Sequence, residues 1–178
     1  MSKALLLIDI QNIYFTEGPY LLNHPQEAAA IAGALLDDFR NAKLPVIHVC
    51  HKFNTESYEE DKDFLNAIYK GVVPNGDEKI VYKTRPSAFY QTDLDEYLEE
   101  KGINELVVCG MMSHMCIDTT VRACQDRNIK VTVIENACTT KSLTIRGNVI
   151  PAEIVHQSFM AGLDRMFADV VTYETDSL

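Results

Sequence analysis

Short, largely apolar runs recur along this chain at Ala4–Ile10, Pro45–Cys50, Leu106–Gly110, Lys130–Glu135 and Asp169–Tyr173, each rich in Val, Ile or Leu. Runs of that length, apolar at successive rather than alternate positions, suit strands of a parallel sheet buried on both faces. Helical patterns separate them at Pro25–Lys43, Tyr58–Tyr69, Thr92–Lys101, Met115–Arg127 and Ala152–Phe167. The alternation predicts an α/β fold with helices on both sides of one sheet. Asn23 and Pro25 precede the Ala-rich helix, and Gly102 follows Leu94–Glu100, which is the usual punctuation of helix ends. Residues 55–63 read as an acidic, exposed connection, and no repeat, low-complexity tract or Gly/Ser linker divides the chain. With 178 residues and 47% hydrophobic content, one core and one domain over residues 1–178 are expected.

The formal net charge of -10 repels phosphate backbones and anionic membrane surfaces, so neither nucleic acid nor a membrane is expected as a partner. The longest apolar runs, Ala4–Ile8 and Leu106–Met112, fall far short of the roughly 20 residues that cross a bilayer. The start of the chain carries no secretory-signal pattern, and a cytoplasmic location is expected. The five cysteines form no CxxC pair and are odd in number, which fits a reducing compartment. Cys50, Cys109 and Cys138 sit in or after apolar runs and read as small buried hydrophobes. Cys124 lies eight residues beyond Cys116 on one expected helix. That is roughly 12 Å of rise, too far for a disulfide, so it also reads as packing.

In an open parallel sheet, ligands bind beyond the carboxyl ends of the strands. Asp9 ends the first apolar run, Lys83 follows the Ile80–Tyr82 segment, and the loop Gly110–Met115 leads into a helix that begins near Cys116. A thiol in the first turn of a helix faces free backbone N–H groups and the positive end of the helix dipole, which favour the thiolate, as would an adjacent lysine. The same amides, those of Met112 and Cys116, suit an oxyanion. A carboxylate at Asp9 suits a proton carrier that serves first as base and then as acid. Spacing alone does not bring the three residues together. Read singly, Asp9 is a turn-forming carboxylate and Lys83 a surface lysine.

The stretches LLLIDIQNIYF, KTRPSAF and GMMSHMCIDTTVRAC together resemble the nicotinamidase and isochorismatase-like cysteine hydrolases over nearly the whole chain. The resemblance implies a catalytic triad of Asp9, Lys83 and Cys116. It also implies a Rossmann-like three-layer αβα fold whose mainly parallel six-stranded sheet has the order 3-2-1-4-5-6. A cis peptide between Met111 and Met112, aiming an amide into the oxyanion hole, is implied as well. The segment AEIVHQSFMAGLDRMFADVVT looks like the family's last helix and strand, with His156 on the helix. Homo-oligomers, dimers or tetramers, acting on small molecules complete what the likeness implies.

Two departures shape the expected chemistry. Nicotinamidases carry a metal site that begins with an Asp-x-His pair after the second strand, where this chain reads HVCHKFN. His48 and His51 are three apart and point to opposite sides of a strand, so no metal and no other cofactor is expected. Isochorismatases proper lack a cysteine nucleophile, so Cys116 favours a thioester acyl-enzyme formed from an amide. The alternatives are hydrolysis of another bond and a non-catalytic thiol that senses oxidants or binds carbonyl ligands. Gln11, Phe15, Tyr20, Phe53 and Phe89 are candidates for an apolar pocket lip, and His114 a neighbour of the nucleophile outside the triad.

Overall fold

The computed structural model describes residues 2–16, 18–53 and 62–174. Six strands form one parallel sheet: β1 (Ser2–Ile8), β2 (Val46–His51), β3 (Lys79–Lys83), β4 (Ile103–Met111), β5 (Lys130–Thr139) and β8 (Asp169–Val171). Their order is β3-β2-β1-β4-β5-β8. The expected order holds, with the last sheet strand being the eighth in the chain because a hairpin intervenes. That hairpin, β6 (Leu143–Ile145) and β7 (Asn148–Ile150), is missing from the sequence reading. Arg146 and Gly147 form its two-residue turn with positive φ at both positions, which matches the right-handed strand twist.

β1 lies between β2 and β4, and Ala4, Leu5, Leu6, Leu7 and Ile8 are all buried. A strand covered on both faces has no polar side to alternate with, which explains the unbroken apolar run. The helices α1 (Pro25–Asn41), α3 (Leu94–Glu100), α4 (Asp118–Gln125) and α5 (Ala152–Leu163) flank the sheet, while α2 is short, Lys62–Asn66. The helix read over residues 58–69 thus shrinks to one turn and a half, and its first four residues lie outside the described residues. So does most of the acidic connection read over 55–63. Among the described residues, no helix is long and apolar enough to cross a membrane.

Strand order reverses between β1 and β4, so the loops leaving these neighbours run apart and open a crevice at their carboxyl ends. Gly110 permits that approach: its φ is +127°, and a Cβ there would stand 2.0 Å from the Ile8 carbonyl oxygen. The far edge is tied down by charge. Glu78 receives both Nε and Nη2 of Arg40 at 2.8 and 2.9 Å, and it also contacts His48 Nε2 at 3.0 Å. These hydrogen bonds overcome partial burial and hold the Glu78 carboxyl down at about 2. A depressed carboxyl contributes stability that is present above its unfolded value and lost as pH falls through the folded one. Urea denaturation at several pH values is therefore expected to show Glu78→Gln less stable than wild type above about pH 4.5. The gap should close towards pH 2; a gap that stays constant would refute the assignment.

Candidate active site

Three strand ends and one helix start supply the site. Asp9 follows β1 in a left-handed conformation, φ 52°, a region that Asp tolerates better than most residues. The turn is held by Asp9 N–H donating to the Val49 carbonyl and Gln11 N–H donating to that of Asp9. Lys83 ends β3 and stands in register with His51 at the end of β2, so their side chains share one face of the sheet. Cys116 lies in a π-helical turn, Ser113–Ile117, that runs directly into α4. The helix start expected near Cys116 is thus wider than an α-turn, a feature often found at functional sites. The peptide between Met111 and Met112 is cis, as the family resemblance implies.

Asp9, Lys83 and Cys116 meet. The Lys83 ammonium donates to Asp9 Oδ2 at 2.6 Å and to Cys116 Sγ at 3.1 Å, and its third contact is His51 Nδ1 at 3.0 Å. Asp9, Lys83 and Cys116 are 0%, 1% and 4% exposed. The readings of Asp9 as a plain turn residue and Lys83 as a surface lysine therefore fail. A lysine on a sheet buried from both sides needs partners for all three of its N–H groups, and it has them. Asp9 Oδ1, by contrast, is buried and has no hydrogen-bond partner among the described residues.

Electrostatics set the resting protonation. Burial raises the Asp9 carboxyl, against the pull of Lys83. Burial and the neighbouring Asp9 charge push the Cys116 thiol up to about 12, with Lys83 again opposing. Beside a single buried cation, the Asp9 carboxylate disfavours the charged form of Cys116. Against the helix start and Lys83, which favour a thiolate, desolvation and the adjacent carboxylate bias the sulfur towards the thiol. Cys50, Cys109, Cys124 and Cys138 are also free, buried and raised. What sets Cys116 apart is its direct lysine and carboxylate partners.

The remaining sequence candidates scatter. Gln11 is a clamp rather than a lip: its Oε1 accepts from His51 N–H at 2.8 Å, and its Nε2 donates to the carbonyls of His51 and Asn66 at 2.9 and 2.7 Å. Phe53 does reach the site, stacked on the His51 ring at 4.5 Å. Phe15 is buried and stacks on Tyr69 at 3.7 Å, beside a cavity of about 380 Å³ lined also by Asn12, Gln26, Phe64 and Lys70. Tyr20 is 43% exposed, beneath the Lys141 ammonium. Phe89 packs under the Arg127 guanidinium at 4.2 Å, next to Ala88, whose N–H donates to Thr120 Oγ1 in the first turn of α4. His114 hydrogen-bonds Thr140 Oγ1 at 2.5 Å and meets Phe159 edge-on. His156 holds Ser113 Oγ at 2.8 Å, which ties α5 to the turn carrying the thiol.

Two residues escaped the sequence reading. The sequence offers His51 only as a metal ligand, although its strand parity opposite His48 holds: His48 faces Glu78 and His51 faces Lys83. Tyr14 is buried, edge-on to Phe53 at 5.6 Å, and raised by burial and by the charges of Asp9 and Cys116. Its place in the LLLIDIQNIYF stretch, five residues past Asp9, was the available signal.

Residues 3–175 match the family model described as the isochorismatase domain. An uncharacterized isochorismatase family protein of Bacillus subtilis, YddQ, is 45% identical over 176 residues, 98% of each chain. The streptothricin hydrolase of Streptomyces noursei is 28% identical over 138 residues, 78% of this chain and 54% of that one. The crystal structure of an isochorismatase from Pseudomonas putida KT2440 superposes with a TM-score of 0.90 at 37% identity, covering 99% of this chain and 89% of that one. The buried site at the strand-order reversal, the match across 3–175 and the full-length likeness to YddQ agree: the chain belongs to the isochorismatase family of hydrolases.

Proposed function

We propose that this hydrolase cleaves an amide-type C–N bond of a small molecule through a thioester on Cys116. The observation that carries the reading is the single ammonium of Lys83 bonded at once to Asp9 Oδ2 and Cys116 Sγ, with Asp9 Oδ1 left without a partner among the described residues. An unpaired carboxylate oxygen in a dry site is a ready acceptor for the thiol proton. Sγ attacks the substrate carbonyl carbon while its proton passes to Asp9. The N–H groups of Met112 and Cys116, at the start of the helical segment, hold the resulting oxyanion. Asp9 returns the proton to the departing nitrogen, the C–N bond breaks, and the acyl group stays on sulfur. Water then attacks the thioester, giving up a proton to Asp9, and the acid leaves as the thiol re-forms.

The reading is metal-independent. A carboxylate oxygen of Asp9, a ring nitrogen of His51 and the Cys116 sulfur lie within 4.8 Å of one another, but the Lys83 ammonium contacts all three. A divalent cation placed among them would have to displace that positive charge. One domain over residues 1–178, forming a homo-oligomer and working in the cytoplasm on small molecules, completes the proposal. Five free, buried cysteines support a reducing compartment, and the net charge of -10 disfavours nucleic acid and anionic membranes as partners. Kinship with a streptothricin hydrolase supports hydrolysis as the reaction.

A panel of small carboxamides and ureides is the test, followed by amine release and by intact mass of rapidly quenched enzyme. An acyl adduct on Cys116 is expected, and Cys116→Ala should lose activity by roughly 10⁴-fold or more. Hydrolysis that survives Cys116→Ala would overturn the thioester route. A thiol that cycles only between oxidised and reduced forms, with no acid released, would identify a sensor instead.

A further inference from the structure

His51 is not part of the proton path proposed above, yet the structure holds it from three directions. The Gln11 side-chain amide binds both its backbone N–H and its carbonyl, at 2.8 and 2.9 Å. Strand pairing places it in register with Lys83. Its ring stacks on Phe53, with 24° between the planes. The clamp springs from the residue two beyond Asp9, so the segment that carries the carboxylate also fixes the imidazole.

An ammonium has three N–H donors and no acceptor. Two of those of Lys83 go to Asp9 and Cys116, and the third meets His51 Nδ1 at 3.0 Å. This contact is a hydrogen bond only if Nδ1 carries no proton, which puts the ring proton on Nε2. Burial and the Lys83 charge lower the imidazole to about 4, in keeping with a neutral ring. Protonation of His51 would set two cations 3 Å apart in a site that tolerates little net charge.

We propose that His51 is a positioning residue: its neutral Nδ1 takes the third hydrogen bond of Lys83 and so directs the other two N–H groups at Asp9 and Cys116. The inference rests on the reading of those three residues as the reacting cluster. Without the acceptor, one buried N–H is left unpaired, and the ammonium rotates towards water or a backbone carbonyl. Its hold on the sulfur weakens and the thiol is harder to ionise.

Two variants separate positioning from packing because they remove opposite features of the ring. His51→Asn keeps an acceptor close to the Nδ1 position and loses the stacked ring. His51→Phe keeps the ring on Phe53 and loses the acceptor. The readout is the alkylation rate of Cys116 by iodoacetamide across pH, site by site from peptide masses, with Cys124 as internal control; no substrate is needed. His51→Asn is expected to retain the wild-type profile within a few-fold. His51→Phe should shift it to higher pH by about one unit, roughly a tenfold loss of rate at a fixed pH. The reverse pattern, or equal behaviour of the two variants, overturns the inference. A wild-type Cys116 no more reactive than Cys124 overturns instead the nucleophile reading beneath it. A measurement on unaltered protein covers the case of a variant that does not fold. Nitrogen-15 shifts of the His51 ring should report the Nε2–H tautomer and no titration between pH 8 and 5, and an Nδ1–H tautomer or a protonated ring there would refute the assignment.

Discussion

Asp9→Asn is expected to make Cys116 more reactive towards iodoacetamide and, at the same time, to abolish turnover. The two effects have one cause. In the folded protein burial raises the thiol most, Asp9 raises it further through its charge and through their contact, and Lys83 lowers it. The amide of Asn carries no charge, so Lys83 remains as an unopposed partner for the thiolate. Each unit by which the thiol falls gives about ten times more thiolate near neutral pH, and alkylation at pH 7 should rise by about tenfold or more. Hydrolysis needs a group that takes the thiol proton and hands it to the leaving nitrogen. Loss of such a general acid–base typically costs about 10² to 10⁴ in rate. Alkylation across pH and turnover, measured on the same preparation, check both parts. Slower alkylation in Asp9→Asn would sink the argument, since it would mean that Asp9 is what ionises the sulfur at rest.

Lys83→Met should give the largest loss of stability of any single change at the site. The side chain is 1% exposed and its ammonium bonds Asp9, Cys116 and His51. Methionine fills similar volume but leaves the Asp9 carboxylate buried without a counter-charge. Breaking a buried pair by removing one partner costs about 3 to 5 kcal/mol. Urea denaturation at pH 7 measures this directly. The sign of its pH dependence is also set. Burial already raises the folded Asp9 carboxyl above its ordinary 3.8, and Lys83 is the main influence that lowers it. Without Lys83 the carboxyl rises further, so the deficit is smallest below about pH 4 and widens as pH increases. Adding Asp9→Asn to Lys83→Met removes the uncompensated charge and should restore much of the loss. Strictly additive effects in that double variant would show that the two groups do not interact. Cys116 in Lys83→Met should alkylate more slowly than in wild type, the opposite of Asp9→Asn.

Much of the site was legible in the sequence because strand ends are legible. Asp9 closes an apolar run, Lys83 closes another, and Cys116 opens a helical pattern. An open parallel sheet brings such ends to one rim, and the strand order puts the first and fourth side by side. The parity of His48 and His51 was legible too, since three residues along a strand reverse the face. The partners of those faces were not. Glu78 and Arg40 lie 30 and 38 residues from their contacts, a distance that local pattern does not bridge. Phe89 shows the same limit. It follows Lys83 by six residues, yet its ring partner is Arg127, which local pattern does not reach either. The hairpin at 143–150 was missed for another reason. Its strands have three residues each, too few for an alternating pattern to stand out, and only the Arg-Gly turn marked it.

The sequence by itself determined the α/β alternation, the buried centre of the sheet, and the few strand ends and the helix start at which Asp9, Lys83 and Cys116 stand. These follow from covalent order and from side-chain periodicity, which are local. The tertiary structure alone decided the desolvation of the site. Local reasoning put Cys116 at a helix start beside a lysine and expected a thiolate. The folded chain surrounds the sulfur with β1, β3 and the turn after β4, shuts out water and sets Asp9 against it. Desolvation depends on everything packed around a group, including residues far away in sequence, so no motif encodes it. The same holds for His51 and Gln11: the one accepts and the other clamps because three strand ends converge, and only the fold brings them together.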